Sequence, residues 1–277
     1  MDTIKPNKGI LDFNLKEIYR YKDLLKMFVK RDFITFYKQT ILGPLWFFIQ
    51  PIITTIIFVI IFGKLAGIST DGAPKTLFYL LGIIVWNYFA DCLNNNSKVF
   101  LDNQGIFGKV YFPRIIKPLS IVLSILIKCS IQLLLFLLIF LFFIYNKDFQ
   151  FVLTFKLLLF PFLILLTGAF GLGLGLIISS LTIKYRDLVF LLQFGIQMFM
   201  YATPVVYPLS SIPKKYQLFY SMNPLTGIIE SVRHIFLNSP IEFPWHSLLL
   251  TIIIIPILLF LGFLSFNKTE KNFIDKV

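Results

Sequence analysis

The sequence predicts an all-α integral membrane protein with six transmembrane helices. Of its 277 residues, 57% are apolar and only 14% are charged, and the mean hydropathy is +0.81. Soluble domains carry about 25% charged residues. A soluble chain of this length could not bury so much apolar surface. The net charge of +12 does not require a nucleic-acid partner, because membrane proteins concentrate Lys and Arg on one side of the bilayer.

The first element is a cytoplasmic N-terminal segment, residues 1–40. Asn14 is a suitable helix cap, and the following apolar residues recur at helical spacing between lysines and arginines. This pattern is typical of an amphipathic helix lying on an anionic membrane surface. The alternative is a helix packed on a soluble partner. Residues 41–277 then form a single transmembrane domain.

Six apolar runs are predicted to span the membrane, since a helix needs roughly 20 apolar residues to cross about 30 Å of hydrocarbon. The spans are predicted at residues 42–62, 77–93, 115–145, 155–181, 188–207 and 248–266. The second run is the shortest, but polar residues bound it on both sides.

The stretch 208–243 is predicted to form a re-entrant or interfacial helical hairpin before the last span. Asn223 and Pro224 are a suitable cap and first residue for a helix that ends at Leu237. That helix has 14 residues, about 21 Å, and is too short to cross. It also carries Glu230, Arg233 and His234 on one face.

The distribution of basic residues predicts that both termini lie in the cytoplasm. With six spans, eighteen Lys and Arg residues fall on the N-terminal side, counting Lys117 at the start of the third span, and seven fall on the other side. If the hairpin crossed as well, the basic C-terminal tail would lie outside the cell, which this rule disfavours.

No enzyme chemistry is evident, and we expect no catalytic residue, bound cofactor or metal in this chain. The sequence has no G-x-x-x-x-G-K-[ST] phosphate loop. Its two histidines are twelve residues apart and have no Cys or carboxylate cluster near them. A membrane-bound glycosyl- or phosphotransferase would need a carboxylate cluster on a loop, which is also missing. The chain is therefore expected to form a path or a docking surface.

Ionisable residues within the spans are sparse: Asp91 lies near one end of the second span, and Lys128 lies well inside the third. Intramembrane charges often mark transport sites, and they motivate the alternative of an ion-coupled carrier or channel. Asp91 could instead sit at the water boundary. Lys128 could instead pair with a carboxylate or face an aqueous cavity.

Small residues in the spans indicate where helices pack closely, and aromatic residues indicate which substrate could pass between them. Gly171 and Gly175 form a small-xxx-small face for close helix packing. Aromatic faces suit sugar rings, and polar tips suit sugar hydroxyls. The candidates for such a path, with Lys128, are Trp86, Tyr88, Phe89, Tyr201 and Tyr207. Ordinary helix packing is the alternative.

Four motif regions, in order, carry a resemblance to a known family. They are Arg31-Asp32 followed by Tyr37-Lys38, Leu42-Gly43-Pro44-Leu45-Trp46 and Pro51; Lys109 to Arg114 followed by Pro118-Leu119; Tyr185-Arg186-Asp187; and Thr203-Pro204 with Tyr207-Pro208, Ile212-Pro213, Asn223 to Thr226 and Arg233. Together they resemble the membrane permease subunits of type-2 ABC exporters for polysaccharides, a family that includes exporters of O-antigen, capsular polysaccharide and teichoic acid.

The resemblance implies a homodimer that encloses a channel in the bacterial inner membrane and works with two copies of a cytoplasmic ABC ATPase, which would bind ATP and Mg²⁺. The cargo would be a lipid-linked glycan. A sibling family exports drugs or other small molecules by the same plan.

The resemblance also implies roles for particular segments. The N-terminal helix and the loop 96–112 would contact the ATPase, and the hairpin would lie near the exit. The implied coupling residues are Arg31, Asp32, Lys98, Asp102, Phe107, Lys109, Arg114, Arg186 and Asp187. The implied exit residues are Asn223, Pro224, Glu230, Arg233 and His234. For the charged pairs at 31–32 and 186–187, surface charges that follow the positive-inside rule are the alternative.

Overall fold

The computed structural model is a bundle of packed helices. It describes residues 15–38, 41–147, 149–239 and 242–274, so that Asn14, the predicted cap, lies outside the described residues. The helices are α1 (Leu15–Arg20), α2 (Lys22–Tyr37), α3 (Trp46–Phe58), α4 (Lys75–Ser97), α5 (Val99–Asp102), α6 (Gln104–Phe107), α7 (Ile116–Tyr145), α8 (Phe160–Thr182), α9 (Leu188–Tyr201), α10 (Lys214–Ser221), α11 (Pro224–Leu237) and α12 (Trp245–Ile274). A π-helical stretch, Val59–Leu65, continues α3.

Five helical stretches in the described part of the chain are long and apolar enough to cross a membrane. They are Gly43–Leu65, Lys75–Ser97, Ile116–Tyr145, Phe155–Thr182 and Trp245–Lys271. They coincide with five of the six predicted spans, and the chain is a multi-pass membrane protein.

The second span runs further than predicted, through its terminal asparagines to Ser97. The Nδ2 of Asn95 donates to the carbonyl of Asp91, and the Nδ2 of Asn96 donates to the carbonyl of Cys92, both at 2.8 Å. Each amide nitrogen thus finds an acceptor on its own helix, and α4 includes these polar residues up to Ser97.

The fifth predicted span, 188–207, differs from the structure in its last six residues, which are not helical. The helix α9 has 14 residues, about 21 Å, and ends at Tyr201. The ring of Pro204 disfavours helical backbone at Thr203, and the Thr203 hydroxyl donates back to the Phe199 carbonyl at 2.8 Å. Residues 202–207 therefore form turns instead of helix.

The centre of the bundle is α4, which packs against α7, α8, α3 and α11. Nearly all of its side chains from Leu77 to Phe89 are buried. The predicted small-residue contact is confirmed: a Cβ on Gly171 would lie 2.6 Å from the Cβ of Cys92, and one on Gly175 would lie 2.5 Å from the Cβ of Asn96. Glycine is required where α8 meets α4.

The opposite side of α8 is also in backbone contact with its neighbour. A Cβ on Gly262 of α12 would lie 2.6 Å from the carbonyl oxygen of Gly173 in α8. The three helices α4, α8 and α12 are thus joined at distances that leave no room for side chains between them.

The predicted hairpin before the last span is present as α10 and α11. Helix α11 begins at Pro224 and ends at Leu237, as predicted, and the Asn223 side chain accepts a hydrogen bond from the Leu225 amide at 3.0 Å. Every residue of α11 except His234 is buried. The helix is therefore inserted among α4, α8 and α12 instead of lying flat on the bundle.

Helices α1 and α2 lie in the predicted N-terminal segment, and α2 packs on α7. Phe28 of α2 is buried against Phe112, whereas Asp23 and Lys26 are exposed. One face of the helix is thus already occupied by the rest of the chain.

Candidate functional site

The two ends of the bundle hold most of the residues that the sequence singles out. We call the end that carries α2, the loop 96–112 and the last turns of α12 the basic end. We call the opposite end, with residues 202–243, the hairpin end.

At the hairpin end, Arg233 holds the turn that follows α9. Its Nη1 donates to the carbonyl of Pro204 and its Nη2 to the carbonyl of Val205, each at 2.6 Å. The same Nη1 lies 3.5 Å from the carbonyl oxygen of Tyr207. The side chain is 3% exposed. The irregular backbone of residues 204–207 thus obtains from one side chain the hydrogen bonds that a helix would supply.

The charge of Arg233 is balanced within α11. Its Nη1 lies 3.3 Å from Oε1 of Glu230, one turn earlier on the same helix. Burial raises the pKa of Glu230, and the attraction of Arg233 and a hydrogen bond from the Leu209 amide oppose this rise. The carboxylate therefore ties Arg233 to the segment that leads into α10.

The span α4 completes this site. The Arg233 guanidinium lies over the ring of Phe78, with Cζ 3.6 Å from the ring centroid. A Cβ on Gly82 would lie 2.8 Å from Nη2 of Arg233 and 3.2 Å from the Val205 carbonyl oxygen. Glycine at position 82 is what lets the turn and the guanidinium approach α4.

Two further contacts join the turn to the hairpin. The Nδ2 of Asn223 donates to the hydroxyl of Thr203 at 2.9 Å. The hydroxyl of Tyr207 donates to the carbonyl of Tyr201 at 2.7 Å and lies 3.4 Å from the Tyr220 hydroxyl. The structure thus brings together four of the predicted path and exit residues, Tyr201, Tyr207, Asn223 and Arg233.

At the basic end, Arg114 joins the loop 96–112 to the last helix. Its Nη1 donates to the carbonyl of Glu270 at 2.9 Å, and its Nη2 donates to the carbonyl of Phe107 at 3.4 Å. Its Nε lies 3.9 Å from Oε1 of Glu270. Burial lowers the pKa of Arg114, and Glu270 opposes this change. The arginine fixes the exit of the loop relative to α12.

A second ion pair joins α2 to the start of α7. Nζ of Lys117 lies 2.5 Å from Oδ2 of Asp32, and Arg31 binds the other carboxylate oxygen, with Nη2 3.0 Å from Oδ1. Lys117 also lies over the Phe28 ring, 5.4 Å from its centroid. Sequence analysis named Arg31 and Asp32 but did not assign Lys117 a role, although its place at the polar start of a span was a signal.

Aromatic side chains fill the space between these two ion pairs. Phe100 stacks on Phe266 of α12 with centroids 4.6 Å apart, and Phe107 contacts both Phe100 and Phe112 at 5.9 Å. All four rings are buried. Phe107, a predicted coupling residue, thus belongs to the core of the basic end and not to its surface.

The remaining predicted coupling residues lie on the surface of the basic end. Lys98 is half-buried at the junction of α4 and α5. The exposed ones are Asp102, Lys109, Arg186 and Asp187. The hydroxyl of Thr182, just before the last two, donates to the carbonyl of Ser97 at 2.9 Å. This bond joins the ends of α8 and α4 beside the loop.

Three of the aromatic residues predicted to line a path are enclosed within this chain. Trp86, Tyr88 and Phe89 are each less than 5% exposed. Phe89 stacks on Phe170 with centroids 4.9 Å apart, and Trp86 contacts Phe199 at 5.9 Å. Trp86 and Phe89 both contact Phe199 of α9, whereas Tyr88 lies against Gly168 of α8.

The two intramembrane charges pair with each other. Nζ of Lys128 in α7 lies 2.8 Å from Oδ2 of Asp91 in α4, and the two side chains are 15% and 35% exposed. Among the alternatives for Lys128, pairing with a carboxylate is the one that the structure supports.

Sequence analysis missed two glutamines on α9. Gln193 and Gln197 are one turn apart and both are exposed, and Tyr201 follows one turn later. No residue of α9 is buried. The signal was available, because amides at positions i and i+4 of an apolar helix place a polar stripe at membrane depth.

Comparison with known proteins gives consistent results. A family model described as ABC-2 type transporter matches residues 23–237. The O-antigen export system permease protein RfbA of Klebsiella pneumoniae is 28% identical over 268 residues, which cover 96% of this chain and 98% of that protein. RfbA of Myxococcus xanthus is 28% identical over 224 residues, covering 80% and 83%. The polysialic acid transport protein KpsM of Escherichia coli is 26% identical over 200 residues, covering 69% and 72%.

Proposed function

The chain belongs to the ABC-2 type transporter family, and from this premise we propose that it is the permease subunit of an ATP-driven exporter of a lipid-linked polysaccharide in a bacterial inner membrane. The observation that carries the proposal is the similarity, over nearly the whole chain, to permeases named for O-antigen export. A more distant relative is named for transport of another polysaccharide, polysialic acid.

ATP and Mg²⁺ belong, in this proposal, to two copies of a separate ATPase subunit. Members of the family are permeases that work with such a subunit, and this sequence has no phosphate-binding loop of its own. The ATPase docks on the basic end, which the distribution of Lys and Arg places in the cytoplasm.

Force from the ATPase enters through the loop 96–112. Asp102 and Lys109 present charges on its surface, whereas Phe107 is buried beneath them. Arg114 fixes the loop to α12, and Lys117 fixes α7 to α2. A displacement of the loop is therefore passed to α7 and α12 as a shift of packed helices.

The glycan path runs along the exposed face of α9. Placing Gln193 and Gln197 against lipid would leave their amides without hydrogen-bond partners, which costs several kcal/mol in hydrocarbon. A water-filled path satisfies them and supplies partners for sugar hydroxyls. Tyr201 at the end of α9 adds an aromatic face next to the hairpin end.

Two copies of the chain enclose this path between them. The interior of one chain is filled, since Trp86, Tyr88 and Phe89 are packed against other helices. An open path thus requires a second wall, and a homodimer supplies it by symmetry. Trp86 and Phe89 then stand behind α9, and the turn at 202–207 completes the fifth crossing at the exit.

The test is export in the native host. Deleting the gene should remove the surface polysaccharide, measured with a specific antibody or lectin, and the wild-type gene should restore it only beside an ATPase with an intact phosphate-loop lysine. Lys109→Glu should reduce export and co-purification of the ATPase. The matched control is Lys215→Glu at the hairpin end. Polysaccharide that reaches the surface with an inactive ATPase contradicts the proposal.

A further inference from the structure

A cavity lined by both apolar and polar groups lies at the hairpin end, on the side of α11 where Glu230 and His234 project. Its volume is about 300 Å³. It is lined by Leu209, Ser210, Gln217, Glu230, His234, Ser239, Glu242 and Pro244. The side chains of Ser210 and Glu242 are exposed, so the cavity opens to the outside of the bundle. This volume is at the lower end of the range for small-molecule sites, roughly 300–1,000 Å³.

Two of the lining side chains, Ser210 and Gln217, use their donors within the protein. The Ser210 hydroxyl donates to Oδ1 of Asp71 at 2.8 Å. Nε2 of Gln217 donates to the carbonyl of Ile212 at 2.8 Å and lies 3.4 Å from that of Leu209. What these residues can still offer a ligand is an acceptor, the Oγ of Ser210 and the Oε1 of Gln217.

The charged groups of the cavity also favour a ligand that donates hydrogen bonds. Glu230 and Glu242 are both in the lining, and Asp71 lies directly behind Ser210. Arg233 pairs with Glu230 at 3.3 Å but does not line the cavity, so the lining itself carries two carboxylates against the one imidazole of His234. The cavity therefore favours ligands that donate hydrogen bonds or carry positive charge, and it disfavours anions.

Apolar surface is present beside these acceptors. Pro244 and Leu209 contribute to the lining, and next to Pro244 the ring of Trp245 packs on Phe243 with centroids 4.5 Å apart. A sugar ring has both kinds of surface, with hydroxyl donors around its edge and C–H groups on its faces. The cavity has room for one ring and not for an extended chain.

We propose that this cavity binds one neutral or amino-bearing sugar unit and rejects acidic sugars such as uronic acids. This proposal rests on the proposed function in one respect, namely that the bound sugar is a unit of the exported glycan as the glycan leaves the membrane. Because Glu230 and the 209–217 segment line the cavity, the occupied site lies against the hairpin that Arg233 holds.

The experiment is saturation-transfer NMR on the full chain in phosphatidylcholine nanodiscs, with methyl glucoside, glucosamine, glucuronate and glycerol as separate probes. The first two should bind, and glucuronate and glycerol should not. Glycerol tests whether a lipid headgroup would serve as well as a sugar. Glu242→Gln should weaken glucosamine binding at least about threefold, because it removes one of the two carboxylates that line the cavity.

Two variants complete the design. Ser239→Trp should fill the cavity and abolish all sugar signals, and Lys215→Met, on the α10 helix but outside the cavity, should leave them unchanged. Equal binding by Ser239→Trp and wild type, equal binding of glucuronate and glucoside, or binding of glycerol as strong as that of glucoside overturns the proposal.

The binding assay contains no ATPase, so the two proposals fail separately. Sugar binding lost while ATP-dependent export persists overturns the cavity alone. Export that does not depend on the ATPase, with sugar binding retained, overturns the proposed function alone.

Discussion

Replacing Arg233 by Met should destabilise the protein by about 3–5 kcal/mol, the usual cost of removing one partner of a buried ion pair. Met preserves an apolar stem over Phe78 but leaves Glu230 buried without its partner. It also removes the bonds to the carbonyls of Pro204 and Val205, which at about 1.5–3 kcal/mol for each charged hydrogen bond give a similar figure. The two estimates describe overlapping losses and are not added.

The assay is unfolding of the purified chain in mixed micelles with increasing SDS, followed by helical circular dichroism. Arg233→Lys should recover only part of the loss, because an ammonium cannot reproduce the two-pronged contact with adjacent carbonyls. Glu230→Gln combined with Arg233→Met should lose less than the two single losses together, because no unpaired carboxylate remains buried. The exposed Lys215→Met is the control. A stability for Arg233→Met within about 1 kcal/mol of wild type refutes the anchoring role that we assign to this residue.

Two other sites give sharp expectations. Gly175→Ala should cost about 1–3 kcal/mol in the same assay, because its Cβ would lie 2.5 Å from that of Asn96, while Gly195→Ala on α9, with open space around it, should cost nothing measurable. Equal stability of the two variants would contradict the close packing of α4 and α8. Neutralising Asp91 or Lys128 alone should destabilise the protein, and Asp91→Asn with Lys128→Met should restore most of the loss. Export retained by that double variant, measured as surface polysaccharide, rejects an ion-coupled carrier.

The parts of the fold that local sequence determines were predictable. Asn223 and Pro224 define the start of α11 through a cap and a fixed φ angle, and both ends of that helix agree with the structure. The Gly171 and Gly175 contact followed from spacing alone. In each case, the residues that determine the feature are neighbours in the sequence.

The parts that depend on distant residues were not predictable. Residues 202–207 are as apolar as a span, and the residue that lets them leave the helix, Arg233, lies 29 positions after Pro204. Likewise, hydropathy does not show which face of an apolar helix is inside, so it left open whether Trp86 lines a path or packs against its neighbours, and in this chain Trp86 is buried. The pairing of Asp91 with Lys128, across 37 positions, was also beyond a local pattern.

The glycine-joined helices α4, α8 and α12 differ from the exposed helix α9 in how freely their sequences can change during evolution. A larger side chain at the glycines where these helices meet would clash with a neighbouring helix, so few sequences are permitted there. Helix α9 has no buried residue, and changes at Gln193 or Gln197 displace nothing within the chain. We therefore expect that lineages can exchange one cargo for another by altering this single helix, while the three-helix support is inherited almost unchanged.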